Sequence, residues 1–469
     1  MSADIALERL GLSDLPSLSE SPYASAPGPS IPQTPVEESG RSTPKAARDE
    51  IEPPSSPVTD REVTPLAQAD SGREAWLFLI AGTVIETTVW GLLNAVGVLE
   101  HYWAEELFPG QHDTVTVASA LMNGLSYLGV GFFGPLLTSF PQWSKGVQIL
   151  GLVVSTAGLI GAAFANSPTQ LIGTIGVLFP FSAALYLPCA TLVYEWFYEK
   201  RGLATGIMFA GTGVGGTVFP FVLDGLLKRF GYKATMIAFG VGYAALNAVS
   251  LIFIRRRVPL GGAVIRRRPK VEWRLLATWT FACGFLVIFL SSLGNFNPTL
   301  WIPTFADKVG ADKPGGVALV AIMNAASVPG NLVLGWVSDR LPTKVMIMIV
   351  CFGGAIGVLL PWGFGTTSGP LVVFALIWGL TALSMPGIWS RIITPICRDD
   401  PTLPGLVFSI FASLRGVGNV TAGPISSKLL KVDAFKGAAG AYGTNFGAVL
   451  VYTAVTTFAG GIFGALFPA

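Results

Sequence analysis

Charged residues make up only 12% of this 469-residue chain, and histidine occurs just twice. A soluble protein of this size carries about 25% charged residues, because water must wet its surface. Hydrophobic residues account for 51% of the chain, and it contains 56 glycines. This composition excludes an ordinary water-soluble globule and indicates a chain that is surrounded mostly by lipid.

The chemical groups of most enzyme active sites are also scarce. Both histidines, His101 and His112, fall in one predicted outer loop, where they are either solvated loop residues or sensors of external pH. No His-x-x-Glu pattern is present, and the four cysteines lack metal-ligand spacing. We therefore expect no enzyme activity, no metal and no cofactor, and we interpret the cysteines as small buried apolar residues.

Residues 1–73 lack any apolar periodicity. They contain six Lys/Arg and twelve Asp/Glu and are rich in Pro, Ser and Thr, which predicts a disordered acidic cytosolic tail without a cleavable signal peptide. Five Ser/Thr-Pro pairs fit proline-directed kinases, so kinase regulation of the tail is one interpretation, and chance in a biased segment is the other. The pairs begin at Ser21, Thr34, Thr43, Ser56 and Thr64.

Twelve apolar segments of about 20 residues follow, each long enough to cross a bilayer. The first six lie near residues 75–98, 114–138, 146–165, 168–192, 203–225 and 234–254. The second six lie near 275–296, 315–337, 345–363, 370–390, 404–425 and 446–468. The fold class is therefore an all-α multi-pass membrane protein of two six-helix halves. The lipid bilayer is one of its expected partners.

A basic linker separates the two halves. Residues 255–274 carry eight Lys/Arg, while the first predicted outer loop, 100–113, carries none. Because cytoplasmic loops collect positive charge, the linker and both termini are predicted to face the cytosol, with the plasma membrane as the default location. The predicted domains are a tail (1–73), an N-terminal bundle (74–254), the linker (255–274) and a C-terminal bundle (275–469). Nucleic acid is not an expected partner, because the basic residues do not gather on a soluble face.

The fifth apolar segment carries the most specific motif. Residues 194–206 read YEWFYEKRGLATG and continue at 210–215 as AGTGVG. This stretch resembles the signature of the monocarboxylate transporter family of the major facilitator superfamily, and the patterns at 89–92 and 416–419 are similar to its fungal members. The resemblance covers residues 74–469. It implies a major facilitator fold with a substrate site between the halves near the membrane midplane.

A second motif lies between the eighth and ninth segments. Residues 335–340 read GWVSDR, which matches the gating motif of the superfamily. The resemblance implies that Asp339 and Arg340 latch helices in one state and release them in another. Lys200 and Arg201 lie at the corresponding end of the fifth segment and either contact the partner half or lipid, or serve only as topology anchors.

The chain departs from the lactate carriers of that family where their substrate binds. Asn94 and Ala95 stand where those carriers have a Lys, and Ser327 and Asn331 stand in place of an Asp and an Arg. Proton–lactate symport therefore does not follow from the resemblance. Asn94, Ser327 and Asn331 are instead candidates for binding a different small molecule.

Two charged residues fall in the middle of apolar segments, where a charge is costly unless it has a function. Arg415 is the candidate for attracting an anionic or strongly polar substrate. Glu86 is the candidate for coupling to protons, because a low dielectric favours the neutral carboxyl group and allows it to bind and release a proton. The alternative is that the two pair with each other or with polar neighbours.

The sequence thus predicts a secondary active transporter of a small organic anion or polar metabolite, working by alternating access with protons as a candidate coupling ion. An exporter of a secondary metabolite or an importer of a vitamin-like molecule is the alternative, and a transporter-like receptor is a third. Trp90, Trp378, Trp389 and Tyr186 are weaker candidates for lining a cavity that accepts a ring-bearing substrate.

Overall fold

The computed structural model describes residues 67–258, 277–311, 313–398, 400, 403–432, 434–435 and 437–468. All of them belong to one compact unit, residues 64–469. The five Ser/Thr-Pro pairs and residues 259–274 of the predicted linker lie outside the described residues. The regular secondary structure that is described is helical.

The first half contains six helices that are long and apolar enough to span a membrane. One helical stretch, Arg201–Phe253, has 53 residues, which is about 80 Å and far more than a bilayer core requires. Gly231 interrupts it with φ 73° and ψ 173°, a conformation that glycine adopts readily, so the stretch is two helices. The first six helices are α1 (Arg73–Leu107), α2 (His112–Ser139), α3 (Pro141–Ala162), α4 (Pro168–Trp196), α5 (residues 201–230) and α6 (residues 232–253).

The second half contains six more helices of the same kind. They are α7 (Trp279–Lys308), α8 (Gly316–Ser338), α9 (Thr343–Trp362), α10 (Ser368–Cys397), α11 (Pro404–Leu429) and α12 (Gly447–Ala465). The predicted twelve-helix architecture is confirmed. We call the membrane face at which α6 ends and α7 begins the linker side, and the opposite face the far side.

The main difference from the predicted segments is at the end of α1. This helix continues past residue 98 and closes with a π-helical turn, Trp103–Leu107. His101 therefore lies in α1 just before this closing turn, and His112 is the first residue of α2. The prediction of a long outer loop around the two histidines was wrong, because the polar residues 100–107 continue the helix beyond the apolar span.

The two halves meet where α5 packs against α8 and where α2 packs against α11. Glycines set the distance between α5 and α8. A Cβ added to Gly206 would lie 2.3 Å from the Asn331 carbonyl oxygen, and one added to Gly335 would lie 2.5 Å from the Gly202 carbonyl oxygen. These glycines permit the close packing of α5 against α8, since any side chain at these positions would force the helices apart.

Candidate functional site

A central cavity lies between the two halves. It encloses about 850 Å³ of empty space, including the part that is open to solvent. Four helices of each half supply its walls: α1, α2, α4 and α5 from the first, and α7, α8, α10 and α11 from the second. A cavity shared in this way changes shape whenever the halves move against each other.

The two walls of the cavity differ in chemistry. The first half contributes Glu86, Trp90, Leu93, Asn94, Asn123, Tyr127, Tyr186, Phe209 and Thr212. The second half contributes Asn295, Phe296, Thr299, Asn324, Ser327, Asn331, Leu383, Pro386, Trp389, Phe408, Ala412, Arg415 and Asn419. Amides and aromatic rings dominate, with a single arginine and a single carboxylate among the lining residues.

The five residues that the sequence proposed for substrate binding or coupling all line this cavity. They are Glu86, Asn94, Ser327, Asn331 and Arg415. The structure thus brings together residues from three helices that are far apart in sequence. Their roles in binding and coupling remain predictions.

Arg415 crosses the interface between the halves. Its side chain is 9% exposed, and its Nη2 donates a hydrogen bond to Asn295 Oδ1 at 3.0 Å. Its Nε donates to the Tyr127 hydroxyl of α2, in the other half, at 3.3 Å. Among the described residues, no carboxylate oxygen lies within 4.0 Å of its guanidinium. Neutral groups therefore hold Arg415 in place, and no carboxylate of the described residues forms an ion pair with it.

Glu86 does not pair with Arg415. Its Oε1 accepts a 2.5 Å hydrogen bond from the Thr212 hydroxyl of α5, and its side chain is 1% exposed. Its Oε2 has no hydrogen-bond partner among the described residues. The polar neighbours Thr87 and Thr88 bond elsewhere, to Thr83 and to Asn247 among others. A pairing of the two charged residues, which the sequence left open, is absent within the described part of the chain.

Further polar atoms of the lining residues are buried without a partner in the described structure. They are Trp90 Nε1, Trp389 Nε1, Asn331 Oδ1 and Asn419 Oδ1. Buried polar groups are normally hydrogen-bonded, and the exceptions often mark functional sites or bound water. These atoms can serve water or a ligand as two donors and two acceptors.

Four aromatic side chains from both halves meet on the linker side of the cavity. Phe209 of α5 lies 6.5 Å from the rings of Trp389 and Phe408, which belong to the other half. Tyr186 of α4 also contacts Phe408, with 6.2 Å between the ring centroids. All four residues lie within about 15 Å of helix from the linker side. We call Tyr186, Phe209, Trp389 and Phe408 the aromatic layer.

Three of the four aromatic residues that the sequence suggested for a cavity do line it: Trp90, Tyr186 and Trp389. Trp378 does not. It is fully buried within the second half, where its ring packs against Phe374 at 5.9 Å. Hydrophobic sequence alone does not distinguish a cavity-facing tryptophan from a core tryptophan.

Below the aromatic layer, Asp339 ties the halves together. Its Oδ1 accepts a hydrogen bond from the Gly202 N–H at 2.7 Å, and its Oδ2 accepts one from the Leu203 N–H at 2.8 Å. The carboxylate of the α8–α9 turn thus caps the first turn of α5, where free N–H groups and a positive partial charge favour an anion.

The three basic residues of the predicted gating motif behave differently from one another. Arg201 is buried and donates to Thr394 of α10 at 2.9 Å, so it does cross to the other half. Arg340 remains on its own helix, where its guanidinium lies 3.8 Å from the Trp336 ring centroid. Lys200 has an exposed side chain, and its backbone forms its hydrogen bonds: the N–H donates to Asp70 and the carbonyl oxygen accepts from the Ala204 N–H.

The sequence analysis did not single out several residues that define the site. Tyr127, Asn295 and Thr212 hold the two charged groups, and Asp70, which was assigned to the tail, is bonded to the α4–α5 turn. Single polar residues on apolar helices were the available signal for the first three. Which of them face one another depends on the packing of helices across the two halves.

The sequence profile of the Major Facilitator Superfamily matches residues 79–423, which is most of the chain. The chain belongs to the major facilitator superfamily. It is therefore a transporter of that superfamily by sequence as well as by architecture.

The curated relatives of this superfamily member include fungal transporters. An MFS-type transporter, pynF, of Aspergillus niger is 27% identical over 79% of this chain and 84% of its own length. The MFS transporter asaE of Aspergillus flavus is 26% identical over 80% and 86%. The aspyridones efflux protein apdF of Emericella nidulans is 24% identical over 82% and 77%.

A solved structure gives the same fold. A bacterial homologue of the iron transporter ferroportin, crystallised in an outward-facing state with soaked iron, matches with a TM-score of 0.63. The match covers 84% of this chain and 99% of that one, at 11% sequence identity. At this identity the likeness concerns the fold alone.

Proposed function

We propose that this transporter exports a ring-bearing organic anion, of the kind made in secondary metabolism, and that it couples export to protons through Glu86. The observation that carries the proposal is the buried Arg415, which has no ion-pair partner among the described residues, in the wall of a cavity shared by both halves.

The surroundings of Arg415 support an anionic substrate. A buried guanidinium is costly unless a negative group compensates it, and the partners here are a neutral phenol and a neutral amide. Arginine binds carboxylates and similar planar anions with two parallel hydrogen bonds. A carboxylate or enolate of the substrate would supply the missing charge, and its binding would alter the bridge from Arg415 to Tyr127.

The lining of the cavity supports a ring-bearing substrate. Aromatic side chains from both halves line it, among them Trp90, Tyr127 and Trp389. Such rings favour flat, partly apolar molecules, and the surrounding amides can read carbonyl and hydroxyl groups.

The direction of transport rests on relatives. One of them is named as an efflux protein for aspyridones, and export is the natural task of a transporter for such compounds. We extend this direction of transport to the present chain. In this proposal the chain lies in the plasma membrane, and its linker side faces the cytosol.

Coupling to protons rests on Glu86. The titratable groups that face it are Tyr186 and Cys189 of α4 and Arg415 of α11, and no carboxylate of the described chain is paired with it. A proton bound to Glu86 would neutralise its carboxylate, and an anion bound to Arg415 would neutralise its guanidinium.

A small monocarboxylate is the second candidate substrate. The motif at residues 194–206 supports placing the chain near the monocarboxylate transporter family. However, Ser327 and Asn331 replace the charged pair of the lactate carriers, and aromatic side chains line the cavity. A receptor with the transporter fold is a further alternative, which a measured flux would contradict.

The proposal is tested by counterflow in proteoliposomes. The substrates are ring-bearing carboxylic and enolic acids, each compared with its neutral methyl ester. We expect exchange of an acid and little exchange of its ester. We expect Arg415→Gln to reduce acid exchange at least about 100-fold, because a buried charge-assisted contact contributes roughly 3 kcal/mol or more.

Arg229→Gln is the matched control, since Arg229 is an exposed residue of α5 that contacts the Phe230 ring. It should exchange the acid at the normal rate. Equal exchange of acid and ester, or normal exchange by well-folded Arg415→Gln, would contradict an anion site at Arg415.

A further inference from the structure

The chain just before α1 is bonded to the turn that joins α4 and α5. The Asp70 carboxylate accepts hydrogen bonds from three successive N–H groups, those of Tyr198 at 2.9 Å, Glu199 at 3.1 Å and Lys200 at 2.8 Å. The Asp70 N–H donates to the Trp196 carbonyl oxygen at 2.9 Å. Asp70 thus satisfies the backbone of the whole turn from Trp196 to Lys200.

Asp70 adopts a backbone conformation that only a few residue types accept readily. Its φ is +56°, in the left-handed region, where aspartate and asparagine are several-fold enriched among the non-glycine residues. This conformation directs a short side chain at the turn. The position therefore combines a backbone requirement with a requirement for a carboxylate.

The same turn is held from the other half by Asp339. The Asp339 carboxylate accepts hydrogen bonds from the N–H groups of Gly202 and Leu203. In sequence, these two follow the three N–H groups that donate to Asp70, and only Arg201 lies between the two sets. Two carboxylates, one from before α1 and one from the α8–α9 turn, share five N–H groups at the start of α5. One carboxylate belongs to the first half and the other to the second.

The start of the linker is tied to the same place. Arg257 Nε donates to the Ala67 carbonyl oxygen at 2.7 Å, and Glu195 accepts from the Arg257 N–H at 3.2 Å. Arg256 forms an ion pair with Glu195 at 3.4 Å. These bonds join residues 67–70, the α4–α5 turn and the end of α6 into one unit that is separate from the second half.

We propose that Asp70 is a positioning residue of the gate on the linker side. It acts through Asp339: by fixing the backbone from Tyr198 to Lys200, it presents the Gly202 and Leu203 N–H groups in the arrangement that Asp339 accepts. Without this support the turn loosens, the Asp339 contact weakens, and the equilibrium shifts toward the state that is open on the linker side. The proposal assumes alternating access, as the proposed function does, and it does not depend on which molecule is transported.

The test uses accessibility to a membrane-impermeant maleimide in nanodiscs, which requires no substrate. Ser390, of α10, is 1% exposed, and its hydroxyl has no hydrogen-bond partner in the described structure, so Ser390→Cys is a mild reporter of opening. The four native cysteines are replaced by alanine. We expect Asp70→Asn to raise the labelling rate about fivefold, in keeping with the value of a carboxylate at a helix N-terminus.

Asparagine tolerates the same φ, so Asp70→Asn removes the charge and one of the two acceptor oxygens without straining the backbone. Asp224→Asn is the matched control, because Asp224 is an exposed carboxylate of α5 paired with Lys228 at 2.7 Å. It should leave labelling unchanged. If Asp70→Asn does not accumulate, Asp70→Glu replaces it. Its longer side chain cannot keep all three bonds, so labelling should rise about twofold.

The link to Asp339 is measured with a double-mutant cycle. Asp339→Asn alone should raise the labelling rate at least as much as Asp70→Asn does. The double variant should be labelled no faster than about twice the Asp339→Asn rate, because both substitutions weaken the same contact between Asp339 and the start of α5. Labelling at the parent rate in the available Asp70 variant would overturn the proposal, and so would independent, multiplicative effects. A failure to find anion exchange would contradict the proposed function and leave this result intact.

Discussion

At the scale of single residues, Glu86 and Thr212 form the contact with the clearest functional consequence. The Thr212 hydroxyl donates to one carboxylate oxygen, and the other oxygen has no partner in the described structure. A buried carboxyl group that is held by one donor and faces a cavity can exchange a proton whenever the cavity is hydrated. The hydroxyl orients the group, while the cavity supplies the route.

Glu86→Gln should therefore abolish the response of transport to a pH gradient. Glutamine has the same shape and can still accept the Thr212 hydrogen bond, but it cannot bind and release a proton. We expect counterflow of substrate to continue in Glu86→Gln proteoliposomes, while accumulation driven by an imposed pH gradient is lost. The measurement compares the two assays in one preparation.

Thr212→Val is the companion variant. It removes the donor and keeps the carboxylate, so accumulation should persist with a shifted pH dependence. Accumulation by Glu86→Gln that still follows the gradient would place proton coupling elsewhere and leave Glu86 with a structural role.

At the scale of helices, the close approach of α5 and α8 is the feature most sensitive to substitution. Gly206 faces the backbone of α8, whereas a Cβ at Gly225, on the same helix, would meet nothing within 4 Å. One helix therefore offers a packed glycine and an unpacked one. Only the first is part of the interface that must rearrange during alternating access.

Gly206→Ala and Gly225→Ala should have opposite effects on stability. Alanine favours the helix by roughly 0.5–1 kcal/mol over glycine, which is the whole effect expected at Gly225. At Gly206 the added methyl group overlaps the Asn331 carbonyl, and such overpacking typically costs about 1–3 kcal/mol. Thermal unfolding in detergent measures both, and equal melting temperatures would contradict the importance of this contact.

At the scale of the whole molecule, the path of the chain through the membrane depends on Gly231. If the 53-residue stretch Arg201–Phe253 crosses twice, the residues around Gly231 emerge on the far side. The first turn of α2 lies on that side as well, whereas the turn between α2 and α3 lies on the linker side. The sidedness itself is predicted from the basic linker.

Introduced cysteines test this topology in intact cells. Gln111→Cys and Arg229→Cys should react with an impermeant maleimide added outside, and Gln142→Cys should react only after the cells are permeabilised; all three side chains are exposed. Reaction of Gln111→Cys without Arg229→Cys would contradict the double crossing. The reverse pattern for all three would place the linker outside.

Much of the fold could be predicted from the sequence, because the membrane imposes a simple rule. A segment of about 20 apolar residues must become a helix, since lipid offers no partner for its backbone. The segments, the division into two halves and the packing glycines of α5 all follow from this rule and from the spacing of small residues. Ends of helices were less predictable, as α1 shows, because polar residues can extend a helix into the interfacial region.

The sequence also indicated which residues to examine in the cavity. A charge such as Glu86 or Arg415 in an apolar helix is costly, and this cost made both residues conspicuous. Asn94, Ser327 and Asn331 drew attention through the family resemblance. All five line one cavity, because the helices that carry them surround the interface between the halves.

The partners of these residues were decided only by the tertiary structure. Whether Arg415 meets Glu86 or Tyr127 depends on the rotation and depth of α1, α2 and α11, and no local pattern encodes those parameters. The same holds for Trp378, which lies in the core while Trp389 lines the cavity, and for Asp70, whose carboxylate serves a turn more than 120 residues away. Membrane insertion depends on the composition of each segment by itself, whereas contacts between helices depend on the shapes of two surfaces together.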